Sequence, residues 1–186
     1  MIGLIGTHHG TGVTYTGLML AIYMGEELGK KTAFLECNTH HDFQLLQDAY
    51  LWEERGDGAF SFQRITCYKD VSAGQISDIL SEDYECFILD FGVNSDCYRE
   101  ELMRCDTKMV IGGKSVWEQR KLGIFMEQMG PVRGSETWLY VIPGMRHKDT
   151  AALRKHYGYG VCCVPYENDP TRLNQDTYRF FKGLFP

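Results

Sequence analysis

Short apolar runs alternate with amphipathic stretches along almost the whole chain, and that rhythm admits few folds. A strand that is apolar from end to end is buried on both faces, which requires helices above and below a mostly parallel sheet. The runs at Ile2 to Ile5, Lys31 to Cys37, Cys86 to Asp90, Lys108 to Ile111, Thr137 to Ile142 and Val161 to Val164 read as strands. The stretches at Thr14 to Leu28, Phe43 to Trp52, Ala73 to Leu80, Tyr98 to Cys105, Val116 to Met129, Thr150 to His156 and Arg172 to Leu184 read as helices. In the first of these, Leu18, Leu20, Ala21, Met24 and Leu28 recur at helical spacing, and Gly29 supplies the stop. Gly56 to Gly58 reads as a turn, and Phe60 to Tyr68 as an edge strand. The expected architecture is a three-layer α/β domain with a mostly parallel sheet. Its 186 residues suit a single domain spanning 1–186, without repeat, linker or low-complexity segment.

Composition narrows the function classes. A net charge of −6 argues against a nucleic-acid surface, which needs a basic patch. The seven cysteines include no C-x-x-C pair, and several lie inside apolar runs, so they read as reduced core thiols. For the vicinal pair Cys162-Cys163, packing is favoured over a redox role. The N-terminus turns glycine-rich too soon for a signal peptide, and no apolar stretch approaches the ~20 residues of a membrane span. The expectation is a cytoplasmic protein.

The segment GLIGTHHGTGVTYTGLMLA is a strand, a glycine-rich loop and then a helix. In that order the backbone amides at the helix start form an anion cradle, which glycines let the chain wrap closely. Gly10 and Gly12 supply the wrap, and Thr14 stands where a magnesium-binding hydroxyl belongs.

These residues resemble the deviant Walker A family of P-loop ATPases, the MinD, ParA and nitrogenase-iron-protein group, whose loop reads K-G-G-x-G-K-[ST]. Here the loop is His8, His9, Gly10, Thr11, Gly12, Val13, Thr14. The likeness continues through KTAFLECN, with Glu36 and Asn38 where an acidic motif is expected. It extends to YECFILDFG, whose Asp90 ends a Walker B-like strand, and to VCCVPYENDP, whose Pro165 lies in a turn that the family places near adenine. The resemblance implies ATP or ADP with Mg, held by residues 8–14, Asp90 and Pro165, with Thr14 and Asp90 as the metal ligands. It also implies a homodimer with a protein partner.

Two departures bear on activity. Val13 replaces the lysine that contacts the β- and γ-phosphates, and His8 replaces the signature lysine that reaches across the family's dimer. Phosphoryl transfer depends on charge stabilisation that valine cannot give, and histidine changes charge near neutral pH, so it substitutes for lysine only in part. The expectation is a non-catalytic or weakly active scaffold, positioning or regulatory factor, of the kind seen in Tad-pilus localisation proteins. The alternatives are an active ATP-dependent switch in which Lys114 or His8 supplies the charge, and a ligase resembling dethiobiotin synthetase, suggested by Gly6-Thr7 and Gly12-Val13-Thr14.

His8-His9 and His40-His41 follow the first two strands and fall at the carboxyl edge, where ligands bind in such sheets. With Glu36 and Asp42 they have the donor types of a metal site, but an anion over His8-His9 is the preferred reading. Gly112-Gly113-Lys114-Ser115 is expected to turn the chain into a helix. The last helix, with Tyr178, Phe180, Phe181, Leu184 and Phe185, lacks a basic face, so it is expected to dock on the protein's own core and leave any membrane contact to a partner.

Overall fold

The computed structural model describes residues 1–50, 52, 58–93, 96–145, 147–158 and 160–186. Among them eight strands form one sheet, in the order β3-β4-β2-β5-β1-β6-β7-β8. The strands are β1 (Ile2–Gly6), β2 (Thr32–Glu36), β3 (Ala59–Phe62), β4 (Ile65–Tyr68), β5 (Cys86–Asp90), β6 (Thr107–Ile111), β7 (Leu139–Val141) and β8 (Val161–Cys162). All neighbours are parallel except β3 and β4. The helices are α1 (Val13–Ile22), α2 (Asp42–Tyr50), α3 (Ala73–Leu80), α4 (Arg99–Arg104), α5 (Val116–Met129), α6 (His147–Tyr157) and α7 (Gln175–Leu184).

Strand alternation divides the apolar residues into two cores. Leu4, Phe34, Ile88, Met109 and Val141 face α1, with Phe43 of α2 and Phe181 of α7 in the same core. Ile5, Leu35, Leu89, Val110 and Tyr140 face the other way, against Ile76 of α3, Leu102 of α4, Leu122 and Met126 of α5, and Leu153 of α6. This is the expected three-layer arrangement. Helix α1 is buried almost throughout and continues as a π-helical turn over Tyr23–Glu27.

Several boundaries differ from the sequence reading. The expected edge strand Phe60 to Tyr68 is a hairpin: β3 and β4 pair antiparallel across Gln63 and Arg64, with Gln63 at φ 53°. That turn carries no glycine, asparagine or proline to announce it. The final helix starts at Gln175 and not Arg172, because the Asn174 side chain accepts the Asp176 and Thr177 amides at 2.8 and 3.0 Å and so caps it there. Short 3-10 turns at Asp96–Tyr98 and Ser135–Thr137 replace the first residues of the expected helix at 98 and strand at 137. Of the expected turn Gly56 to Gly58, residues 56–57 lie outside the described residues.

Helix α7 docks on the protein's own core, as expected from its lack of a basic face. Phe181 is fully buried with its ring 5.6 Å from that of Tyr23, and the Tyr23 hydroxyl donates to the Phe185 carbonyl at 2.9 Å. Phe181→Ala should therefore destabilise the fold by about 3–5 kcal/mol in urea denaturation. The same change at half-buried Phe180 should cost about 1 kcal/mol; equal losses would show that α7 is not anchored through Phe181.

Candidate functional site

The loop between β1 and α1 is shaped by its glycines. Gly10 and Gly12 have φ of 81° and 86°, in the left-handed region, and Gly12 precedes α1 without a side-chain cap. The first helical hydrogen bond runs from the Thr16 amide to the Gly12 carbonyl at 2.9 Å. The amides of Val13, Thr14 and Tyr15 thus lie ahead of the ladder, at the positive end of the helix. The loop folds back onto the strand: a Cβ on Gly6 would fall 2.6 Å from Thr11 Oγ1 and 2.8 Å from Val13 Cγ2. The Thr11 hydroxyl is buried without a hydrogen-bond partner among the described residues. The Val13 side chain is part of the α1-side core.

Pairing of β1 with β5 brings the carboxylate to the loop. Asp90 lies on the same sheet face as Ile88, beneath α1. Thr14 Oγ1 donates to Asp90 Oδ2 at 2.6 Å and lies 3.4 Å from Asp42 Oδ2, while the Gly92 amide donates to Asp90 Oδ1 at 2.9 Å. Burial pushes the Asp90 carboxyl up to about 6, against the opposing pull of the Thr14 and Gly92 hydrogen bonds. Glu36 stands in register beside it on β2 and is also raised by burial. Glu36 accepts the Phe43 amide at 3.1 Å and the Asp70 amide at 3.3 Å, which ties β2 to the start of α2. Asn38 donates to the Asp90 carbonyl at 3.1 Å and accepts the His40 amide at 3.0 Å. The carboxylate nearest Thr14 after Asp90 is therefore Asp42, at the helix start.

The histidines separate. His8 lies between Thr7 Oγ1 (2.9 Å from Nδ1) and Glu118 Oε1 (3.2 Å from Nε2). Hydrogen bonds from the Ser115 hydroxyl and amide, with His8 behind them, pull Glu118 down to about 2. His9 meets His40 edge-on, with ring centroids 5.2 Å apart, although β5 separates their strands. His41 pairs with Asp70 at 2.5 Å. Among the described residues no three His, Cys, Asp or Glu side chains group as metal ligands.

Two cavities adjoin the loop. One, of about 290 Å³, is lined by His8, Gly10, Thr14, His40, Asp42 and Gly92 among others. The other, of about 310 Å³, is lined by Gly12, Tyr15, Lys114, Glu118, Pro143 and Tyr166 among others. Lys114 is the one lysine or arginine among the described residues that line them. The chain does turn into α5 at this point, through a capping box between Ser115 and Glu118. Pro165 is half-buried beside Tyr166, the residue that reaches the second cavity. The hydroxyl and carboxylate oxygens of Thr14, Asp90 and Asp42 suit a hard cation such as Mg²⁺, and the free amides of the helix start suit phosphate. Sequence reasoning did not single out Tyr15 or Pro143, because nothing local marks them.

No protein-family model matches the chain, and no curated protein sequence matches it. Solved structures match its fold. MinD from Aquifex aeolicus is 13% identical with a TM-score of 0.68, covering 98% of this chain and 96% of that one. A plasmid partition protein from Borrelia burgdorferi bound to AMPPNP is 10% identical with a TM-score of 0.67, covering 98% and 94%. The MinC:MinD complex of Aquifex aeolicus is 10% identical with a TM-score of 0.67, covering 90% and 81%. The chain has the fold of the MinD/ParA P-loop ATPases.

Asp90 gives this site a pH signature. Its folded carboxyl sits above the ordinary value of 3.8, so its favourable contribution is present below about pH 4 and is lost as pH rises through about 6. Asp90→Asn removes that dependence. Denaturation at a series of pH values should find the variant's advantage near zero at about pH 4 and of the order of 2–3 kcal/mol at about pH 7.5. A difference independent of pH would mean that the carboxylate is not held in a desolvated place.

Proposed function

We propose that the protein is a MinD/ParA-like P-loop protein with a degenerate, deviant Walker A loop. In this reading it holds a Mg-nucleotide without hydrolysing it efficiently and acts as a homodimeric scaffold or positioning factor for a protein partner. The observation that carries the reading is a contrast within two residues: Thr14 remains bonded to Asp90 at 2.6 Å, while Val13 is packed into the core.

The residues divide by role. Gly10, Thr11 and Gly12 shape the cradle, His8 lines the cavity beside it and His9 is exposed next to it, and the amides of Val13 and Thr14 would face phosphate. Thr14 and Asp90 would hold Mg²⁺, which when bound neutralises phosphate charge. Pro165 and its neighbour Tyr166 would flank the base. Val13 provides no cation to stabilise charge developing on a transferred phosphoryl group, a contact worth orders of magnitude in rate. The fold relatives include one bound to AMPPNP and one assembled with MinC, which supports a nucleotide and a protein partner here. Leu45, which lines an apolar groove with Thr14 and Tyr15, and Tyr166, which lines the second cavity, are each 65% exposed and support a face that a second copy covers.

A second reading, an active switch, is favoured by Lys114, whose place beside Gly10 and Gly12 would let it substitute for the loop lysine. The two are separated by one set of measurements on the whole chain. Mg-ATP should bind in isothermal titration, and Thr14→Ala should weaken it about tenfold or more. Phosphate release from the saturated protein should stay at the background rate. Release above background that Lys114→Ala abolishes would establish the active switch instead, and absence of Mg-ATP binding would overturn both.

A further inference from the structure

Tyr15 follows Thr14 directly and lies where three cavities meet: the two described above and an apolar groove lined by Leu18, Leu45, Leu46 and Pro170. Its hydroxyl donates to the Glu167 carbonyl at 2.6 Å and accepts from the Glu167 amide at 2.6 Å. One side-chain group thus satisfies both backbone groups of a residue 152 positions away. The preceding residue, Tyr166, stacks on Tyr15 with centroids 6.0 Å apart and planes 20° from parallel.

Glu167 is fixed from its other side as well. Its buried carboxylate accepts the Asn174 amide at 2.7 Å, the Thr177 hydroxyl at 2.6 Å and the Asn174 side-chain amide at 3.2 Å. The turn that carries Tyr166 is therefore clamped between the first turn of α1 and the N-terminus of α7. Tyr166 itself remains largely exposed, and it lines the second cavity with Gly112, Gly113 and Pro143. A small-residue floor beside an aromatic ring held in place suits a flat heterocycle, for which stacking gives affinity with little demand on hydrogen bonding.

We propose that Tyr15 is a positioning residue for the nucleobase: through its hydroxyl on Glu167 it fixes the ring of Tyr166, on which the base of a nucleoside triphosphate stacks. The proposal rests on the nucleotide reading above. It links the two ends of the ligand through adjacent residues, with Thr14 facing phosphate and Tyr15 holding the wall for the base.

The test compares Mg-ATP with Mg-tripolyphosphate, which has the phosphates and no base, by isothermal titration of the whole chain. Tyr15→Phe, which keeps the ring, should lower affinity for ATP about tenfold and leave that for tripolyphosphate unchanged. Tyr166→Ala should show the same split and Tyr166→Phe should restore wild-type behaviour; if Tyr15→Phe does not fold, the Tyr166 pair carries the test. Equal loss for both ligands, no loss for either, or a wild type that binds tripolyphosphate as tightly as ATP would overturn the positioning role. A wild type that binds neither ligand overturns the nucleotide reading and this inference with it, and is distinguished by that double absence.

Discussion

The hydrogen bond from Thr14 to Asp90 ties the first turn of α1 to the last residue of β5, and the candidate site is arranged around it. It exists because β5 lies beside β1 and alternation puts Asp90 on the face that α1 covers. Removing a carboxylate from water disfavours its charged form, and a hydroxyl and one amide offset this only in part. In the proposed reading, a hard cation held by Thr14 and Asp90 would relieve the remaining penalty.

The balance of charge around the loop argues against efficient chemistry. Asp42, Asp90 and Glu118 contribute carboxylates, and Lys114 is the one lysine or arginine among the described residues lining the two cavities. His8, which the proposed reading puts at the place of the signature lysine, is directed to Glu118. In the proposed reading, binding through helix-start amides and a metal would survive such a balance, because amides and oxygen ligands need no lysine. Phosphoryl transfer suffers more, since it draws on charge aimed at the leaving phosphate.

The strands and helices were legible because burial on two faces writes continuous apolar runs, and Thr14 and Asp90 were brought together by the family resemblance of the loop and the strand end. The β3–β4 hairpin was not, since Gln63 and Arg64 lack the usual turn chemistry. The meeting of His9 with His40 was hidden for a different reason. Gly92, at φ 60°, has no side chain, and a Cβ there would lie 3.1 Å from His40 Cε1, so the imidazole crosses the end of the intervening strand. The tie between Tyr15 and Glu167 joins distant parts of the chain and leaves no periodic trace. Local pattern thus specified what each segment is, and tertiary placement decided which side chains meet.

The central claim is a nucleotide held by metal and amides yet left intact for want of a loop cation. Phosphorus NMR of the protein saturated with Mg-ATP, followed for hours, tests it most directly. The account predicts shifted resonances for bound ATP that persist without growth of ADP and inorganic phosphate. Steady conversion to ADP, abolished when Asp90 is replaced by asparagine, would contradict it.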